Sequence, residues 1–309
     1  MIQTLVFVLT PVFFMLGLGF VAGRRHWVNP HATEMLGAYI AKFALPVSLA
    51  LAIVTAPRQL LAPELVPTVV YGASLLSGFA IGLWYAKRAG FTPVTAALYS
   101  LTVGMPNLGG IGLALFQSLE GPDAAVSLAV ANLVGTLTVI LACFVRLEMQ
   151  RGGHPLRAVS AALLKPMTII PTLGFVVAFL DLPFPDLFVS ALRPLAQSTA
   201  GAGLFLTGVI LSTQQLRPTR AVMWGVLATN IVQPAVALLA CTLIHLPGTL
   251  ETRAIVAMAI PSGFVGTILT SVYREGGAEA GGVLVASSAL SVVTLPFWIV
   301  LALWLGGGA

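Results

Sequence analysis

Apolar residues in this chain gather in runs of about 20, separated by short polar or Gly/Pro-rich breaks, which is the spacing of bilayer spans. The runs predict ten helices near residues 4–23, 35–55, 65–86, 94–119, 123–146, 165–181, 187–212, 221–245, 252–273 and 281–305. Two of them are interrupted. In the fourth, Gly104, Pro106, Asn107, Gly109, Gly110 and Gly112 fall within nine positions. Pro106 removes a backbone donor and clashes with the preceding turn, while the glycines remove the side chains that hold a helix together in lipid. The ninth run carries a matching break at Pro261, Ser262, Gly263 and Gly266. Unwound backbone at membrane depth survives only when buried in protein or lining a wet cavity, so both breaks are expected at the centre of a site.

The pattern also reads as two copies of five helices, residues 1–150 and 151–309. The stretch from Pro11 in helix one resembles that from Pro171 in helix six, and Pro106 of helix four answers Pro261 of helix nine. An odd number of helices per copy forces opposite orientations, and two Gly/Pro-broken segments in corresponding halves mark the binding site of such a protein. The expectation is an all-α polytopic membrane protein with ten transmembrane helices in two inverted five-helix repeats, with helices four and nine broken and crossing. The run from Leu5 to Val21 reads as a retained first helix, having no cationic residue before it and no small-residue cleavage pattern after it. Gly17, Gly19 and Ala22 imitate a dinucleotide fingerprint, but in an apolar helix without a preceding strand they predict close helix packing.

Composition agrees with a membrane protein and leaves little else. Of 309 residues, 58% are hydrophobic and 8% charged, with a mean hydropathy of +1.00. Ten spans take roughly 200 residues, which leaves no room for a sizeable extramembrane domain. The pI near 9.6 does not point to nucleic acid, because the basic residues stand in ones and twos beside apolar runs. Eleven of the 15 Lys and Arg residues (Arg24, Arg25, Lys87, Arg88, Arg146, Arg151, Arg157, Lys165, Arg217, Arg220 and Arg274) fall after odd-numbered helices. The positive-inside rule then predicts both termini outside the cytoplasm. Arg58 and Arg253 lie on the opposite side, where Glu64, Glu120, Asp123, Asp181, Asp186 and Glu251 also gather. The basic segment from Arg146 to Lys165 would link the halves, with room for a small amphipathic interfacial helix.

Candidate chemistry centres on Gly104, Pro106 and Asn107 with Pro261, Ser262 and Gly263. Where two helices break and cross, each second half starts with unpaired N–H groups and a partial positive charge, a ready site for a carboxylate. The Asn107 amide and the Ser262 hydroxyl would add hydrogen bonds. Asn132, Asn230 and Gln233 are intramembrane amides of the kind that bind helices together at about 1 kcal/mol. Asn132 and Gln233, in helices flanking the broken ones, are also candidates for substrate contact. Lys42 and Arg193 are the basic residues within spans, and Arg193 is a candidate to draw an anion into an outer vestibule or to snorkel to the headgroups. No Asp or Glu falls in the central part of a predicted span, so a carboxylate relay for protons or sodium is not visible. Cys143 and Cys241 read as small buried hydrophobes, and the four histidines form no metal pattern. No cofactor is expected, and the signatures of an activated nucleophile or a Walker loop are missing, so an enzyme and an ATP-driven pump are not expected.

At Leu101 to Asn107, Ala44-Leu45-Pro46, Arg193 to Ala196 and Leu204 to Ser212 the chain resembles the auxin efflux carrier family, over essentially its whole length and most closely its bacterial malonate carriers. The resemblance implies a scaffold of helices one, two, six and seven, a transport domain of helices three to five and eight to ten that moves as an elevator, and a homodimer. It also implies that Asn107 contacts a substrate carboxylate. The charged pair that plant members carry in helix three is missing, that helix offering Tyr71, Ser74 and Ser77. The expected function is secondary active transport of a small organic anion, malonate or a related dicarboxylate, with a coupling proton or sodium ion. An exporter of monocarboxylates or auxin-like aromatic acids, a passive anion channel and a membrane receptor are the alternatives, and the location the resemblance implies is a bacterial inner membrane.

Overall fold

The computed structural model describes residues 2–56, 62–120, 124–150, 152, 154–213 and 218–306; Arg58, Asp123, Arg151 and Arg217 of the charge pattern lie outside the described residues. The regular elements among those residues are all helices, with no β-strand among them. The helices are α1 (Ile2–Arg24), α2 (Pro30–Val54), α3 (Thr68–Arg88), α4 (Pro93–Gly104), α5 (Leu113–Glu120), α6 (Ala125–Gln150), α7 (Pro155–Leu163), α8 (Pro166–Phe179), α9 (Asp186–Thr213), α10 (Arg220–Ile244), α11 (Gly248–Ala259), α12 (Val265–Tyr273) and α13 (Gly277–Leu305). By length and apolarity, α2, α6, α9, α10, α13 and the helix ending in α3 are able to span a bilayer, six in all among the described residues. The fourth and ninth predicted spans are each divided, at residues 105–107 and 260–264.

Prolines shape the long helices from within. Pro46 and Pro234 lack the N–H that would bond to the carbonyl four residues earlier. Ahead of each, the helix widens into a π-helical turn, Ile40–Ala44 in α2 and Ala228–Val232 in α10. Leu45 N–H then reaches the Ile40 carbonyl and Gln233 N–H the Ala228 carbonyl, each one residue further back than in an α-helix. The helix continues because its hydrogen bonds are reassigned before the proline arrives.

The chain forms two compact units. The first holds residues 1–65, 108–133 and 164–213, and so α1, α2, α5, the start of α6, α8 and α9. Its tightest joint is α1 on α9. A β-carbon at Gly19 would overlap the Phe205 carbonyl, and one at Gly208 would overlap the Leu16 carbonyl, so the two backbones touch. The glycines of the false dinucleotide fingerprint are thus packing residues. Tyr39 and Ser198 share a 2.7 Å hydrogen bond between α2 and α9. Glu64, placed by its sequence position beside an outer loop, is buried and accepts a hydrogen bond from the Ser127 hydroxyl.

The second unit holds residues 66–107, 134–163 and 214–309, and so α3, α4, the rest of α6, α7 and α10–α13. Tyr99 of α4 sits in its core with Val103, Ala228 and Val283, and donates to the Ala221 carbonyl at 2.6 Å. Cys143 and Cys241 are buried, as small apolar residues would be. The chain passes between units at Asn107/Leu108, where the fourth span is broken, and at Leu133/Val134 inside α6. Both places adjoin π-helical turns, Leu108–Gly112 and Thr136–Ile140.

Gly208→Leu is expected to destabilise the first unit by on the order of 3 kcal/mol, because its side chain has no space between touching backbones. A β-carbon at Gly17, on the facing helix α1, meets nothing within 4 Å, and Gly17→Leu is expected to be neutral. Thermal unfolding of both variants in detergent checks this pair.

Candidate functional site

The break after α4 strands a row of carbonyls in the interior. The last regular bond is Met105 N–H to the Leu101 carbonyl at 2.9 Å. The Thr102 carbonyl would next need the N–H of residue 106, which is proline. Val103 would need that of Asn107, which is turned away, and Gly104 that of Leu108. All three carbonyls are buried with the residues around them, so water does not serve them.

Side chains close the row one carbonyl at a time. The Ser262 hydroxyl donates to Thr102 at 2.5 Å, the Thr229 hydroxyl to Val103 at 2.9 Å and the Gln233 amide to Gly104 at 2.9 Å. The next carbonyl, Met105, accepts the Gly263 N–H at 2.8 Å. In return Asn107 donates its N–H to the Pro261 carbonyl at 2.8 Å. Pro106 and Ser262 therefore lie opposite each other in a minimal antiparallel bridge between the two breaks. Gly263 must be small here, since a β-carbon would sit 3.1 Å from both the Met105 and Pro106 carbonyl oxygens.

A second layer holds the bridge from behind. Ser262 N–H donates to the Ser287 hydroxyl at 3.0 Å, and that hydroxyl donates to Asn230 Oδ1 at 2.6 Å. Asn230 uses both amide hydrogens, on the Ser287 carbonyl and the Thr294 hydroxyl, each at 3.1 Å. The Asn230 carbonyl, which Pro234 cannot serve, takes Trp298 Nε1–H at 2.9 Å. Asn230 is thus satisfied at every polar atom, the state that makes a buried amide rigid.

Of the residues singled out from sequence, Gly104, Pro106, Asn107, Pro261, Ser262, Gly263 and Gln233 are brought together in the second unit. Asn132 is buried in the first unit, and Arg193 is exposed there beside Asp186, Ser190 and Gln197. Lys42 is exposed on the widened turn of α2. Ser262 and Gln233 spend their donors on backbone carbonyls, while Gln233 Oε1 is buried without a hydrogen bond among the described residues. Thr229, Ser287 and Thr294 were not anticipated. Their signal was present as hydroxyls at helical spacing within apolar runs, Thr229 four residues before Gln233 and Ser287 seven before Thr294.

No charged side chain belongs to the bridge or its supports. Its fixed polarity comes from backbone. α12 begins directly after Gly263 and Phe264, so the positive end of its dipole starts at the break. Such a centre can attract an anion without holding a permanent cation.

Thr229→Val and Gln233→Leu each leave one interior carbonyl without its donor. Each is expected to lower stability by about 1–3 kcal/mol, read as a lower unfolding midpoint in detergent.

A sequence profile described as membrane transport protein matches residues 4–156 and 156–299. The chain is 24% identical over 304 residues to the uncharacterized transporter YfdV of Escherichia coli (strain K12), covering 94% of this chain and 95% of that one. The YfdV proteins of Escherichia coli O157:H7 and Shigella flexneri match to the same extent. An interior helix break built for polarity, in a chain that these matches cover almost end to end, belongs to a membrane transporter, and the chain is a member of the membrane transport protein family, the auxin efflux carrier family.

Proposed function

We propose that the protein is a secondary active carrier of a small organic anion, malonate or a related dicarboxylate, in a bacterial inner membrane. The observation that carries this reading is the bridge of Pro106 and Ser262, an uncharged break whose stranded carbonyls each receive a donor, with the N-terminus of α12 starting beside it. One substrate carboxylate would sit at the Asn107 amide and the N–H groups opening α12. Ser262 and Gln233 would act mainly by fixing the backbone that receives it.

The ten-helix inverted repeat, with both termini in the periplasm, is the arrangement we favour, because it pairs Pro106 with Pro261 as equivalent residues. An elevator movement fits the same picture. Every donor that closes the carbonyl row comes from the unit that contains the bridge, so that unit can travel without opening the bridge. The widened turns at Leu108–Gly112 and Thr136–Ile140 supply places for the chain to bend. Arg193, exposed on α9, would attract anions at the outer face, and Asn132 would contact the substrate. A coupling proton or sodium ion and a homodimer complete the proposal.

Uptake of radiolabelled malonate into proteoliposomes, under an imposed pH gradient and then an imposed sodium gradient, tests it. Saturable accumulation is expected under one of the two, and Asn107→Ala is expected to reduce uptake at least tenfold while remaining folded. Folded wild-type protein that accumulates no malonate under either gradient would overturn the substrate assignment. Linear, non-saturable flux would replace a carrier with a channel.

A further inference from the structure

The outer surface of the second unit carries a groove of about 630 Å³ between α10 and α13, within the usual size range of ligand pockets. Met223, Leu227 and Ile231 line it from α10, and Ala286 and Leu290 from α13. The lining is almost wholly apolar and its large side chains are open, Met223 being 64% exposed. From Val222 to Ile231 the groove follows α10 for about 14 Å at the rise of an α-helix. A surface of this kind in a bilayer takes an acyl chain.

What sits at one end of the groove makes it more than lipid-facing surface. Trp224, which borders the groove, meets Trp84 of α3 edge to face, with ring centroids 5.9 Å apart. The Arg88 guanidinium lies 5.2 Å over the Trp84 ring. Arg220 stands one turn before Trp224 on the same face of α10, and Lys87 adjoins Arg88. All three cations are exposed, and no described carboxylate pairs with them. Half-exposed tryptophans beside arginines mark the headgroup level of a membrane. A row of cations there, at the mouth of an apolar groove, is complementary to a lipid phosphate carrying net negative charge.

We propose that this groove is a binding site for an anionic phospholipid, with one acyl chain lying between α10 and α13 and the phosphate held by Arg88 and Arg220. The two tryptophans flank the glycerol region, and Arg88 is held for the headgroup by its contact with Trp84. A zwitterionic lipid fills the same groove but gains less from the cations, so charge decides the preference. The site is independent of the transported substrate.

The test uses the full-length protein purified in detergent, exposed to equal amounts of phosphatidylglycerol and phosphatidylcholine with the same acyl chains, and read by native mass spectrometry. Wild type is expected to retain phosphatidylglycerol preferentially. Arg88→Ala with Arg220→Ala is expected to reduce that preference about tenfold or more, at about 1 kcal/mol per cation near a surface. Arg88→Lys with Arg220→Lys is expected to keep most of it, which separates charge from any effect on folding. Leu290→Trp is expected to reduce retention of both lipids. Equal retention of the two lipids by wild type, or an unchanged preference in the double alanine variant, overturns the proposal. So does efficient disulfide linkage between copies carrying Leu290→Cys in native membranes, which would show a second copy of the chain in the groove.

Discussion

A carbonyl without a donor is costly anywhere in a protein interior, and at lipid depth water cannot supply one. Interrupting a helix there creates several such carbonyls at once. The bridge region of this protein is organised around that one requirement. Ser262, Thr229 and Gln233 meet three successive carbonyls, and Gly263 meets the fourth. Removing any one donor leaves the others with a backbone that no longer has a single best arrangement. The apolar packing of Tyr99, Val103 and Val283 tolerates the break because its stranded carbonyls already have donors.

The same requirement explains features that look unrelated in the sequence. Pro234 lies directly after Gln233, and its missing N–H produces the widened turn that sets Thr229, Asn230 and Gln233. The freed Asn230 carbonyl is then available to Trp298, and the Asn230 side chain is available to Ser287. Ser287 in turn receives Ser262 N–H from the second break. One proline in α10 thus helps to hold another helix's interruption in place. A rigid break is what a binding site needs, because donors fixed before the ligand arrives do not have to be ordered when it binds.

The two breaks were legible because proline and glycine act locally, and Pro106 and Pro261 declare themselves within a few residues. The long helices were legible for the same reason, from runs of apolar residues that lipid requires. The partners of the stranded carbonyls were not legible. Thr229 reaches Val103 across 126 positions, and a hydroxyl in an apolar helix ordinarily bonds to its own backbone. Gln233 was recognisable as an interior amide, yet its donor serving Gly104 follows from tertiary packing alone. Glu64 was placed by the charge pattern in or beside a loop, and it does lie in a short turn ahead of α3, but its burial against Ser127 was not legible. Sequence showed where the backbone must fail to be helical, and only the fold shows what repairs it.

An uncharged centre also bears on what kind of traffic the proposed carrier would manage. A buried arginine would bind a carboxylate strongly, but without a ligand it would be an unpaired charge in a low dielectric, and with one it would be slow to release. Oriented N–H groups at the start of α12 offer a weaker, fixed attraction that is tolerable when empty. A bridge whose stranded carbonyls are served from within one unit does not need the substrate in order to remain folded. Those two properties together suit a site that must be emptied and refilled in every cycle, and they explain why the interior invests in hydroxyls and amides and keeps its cations at the surface.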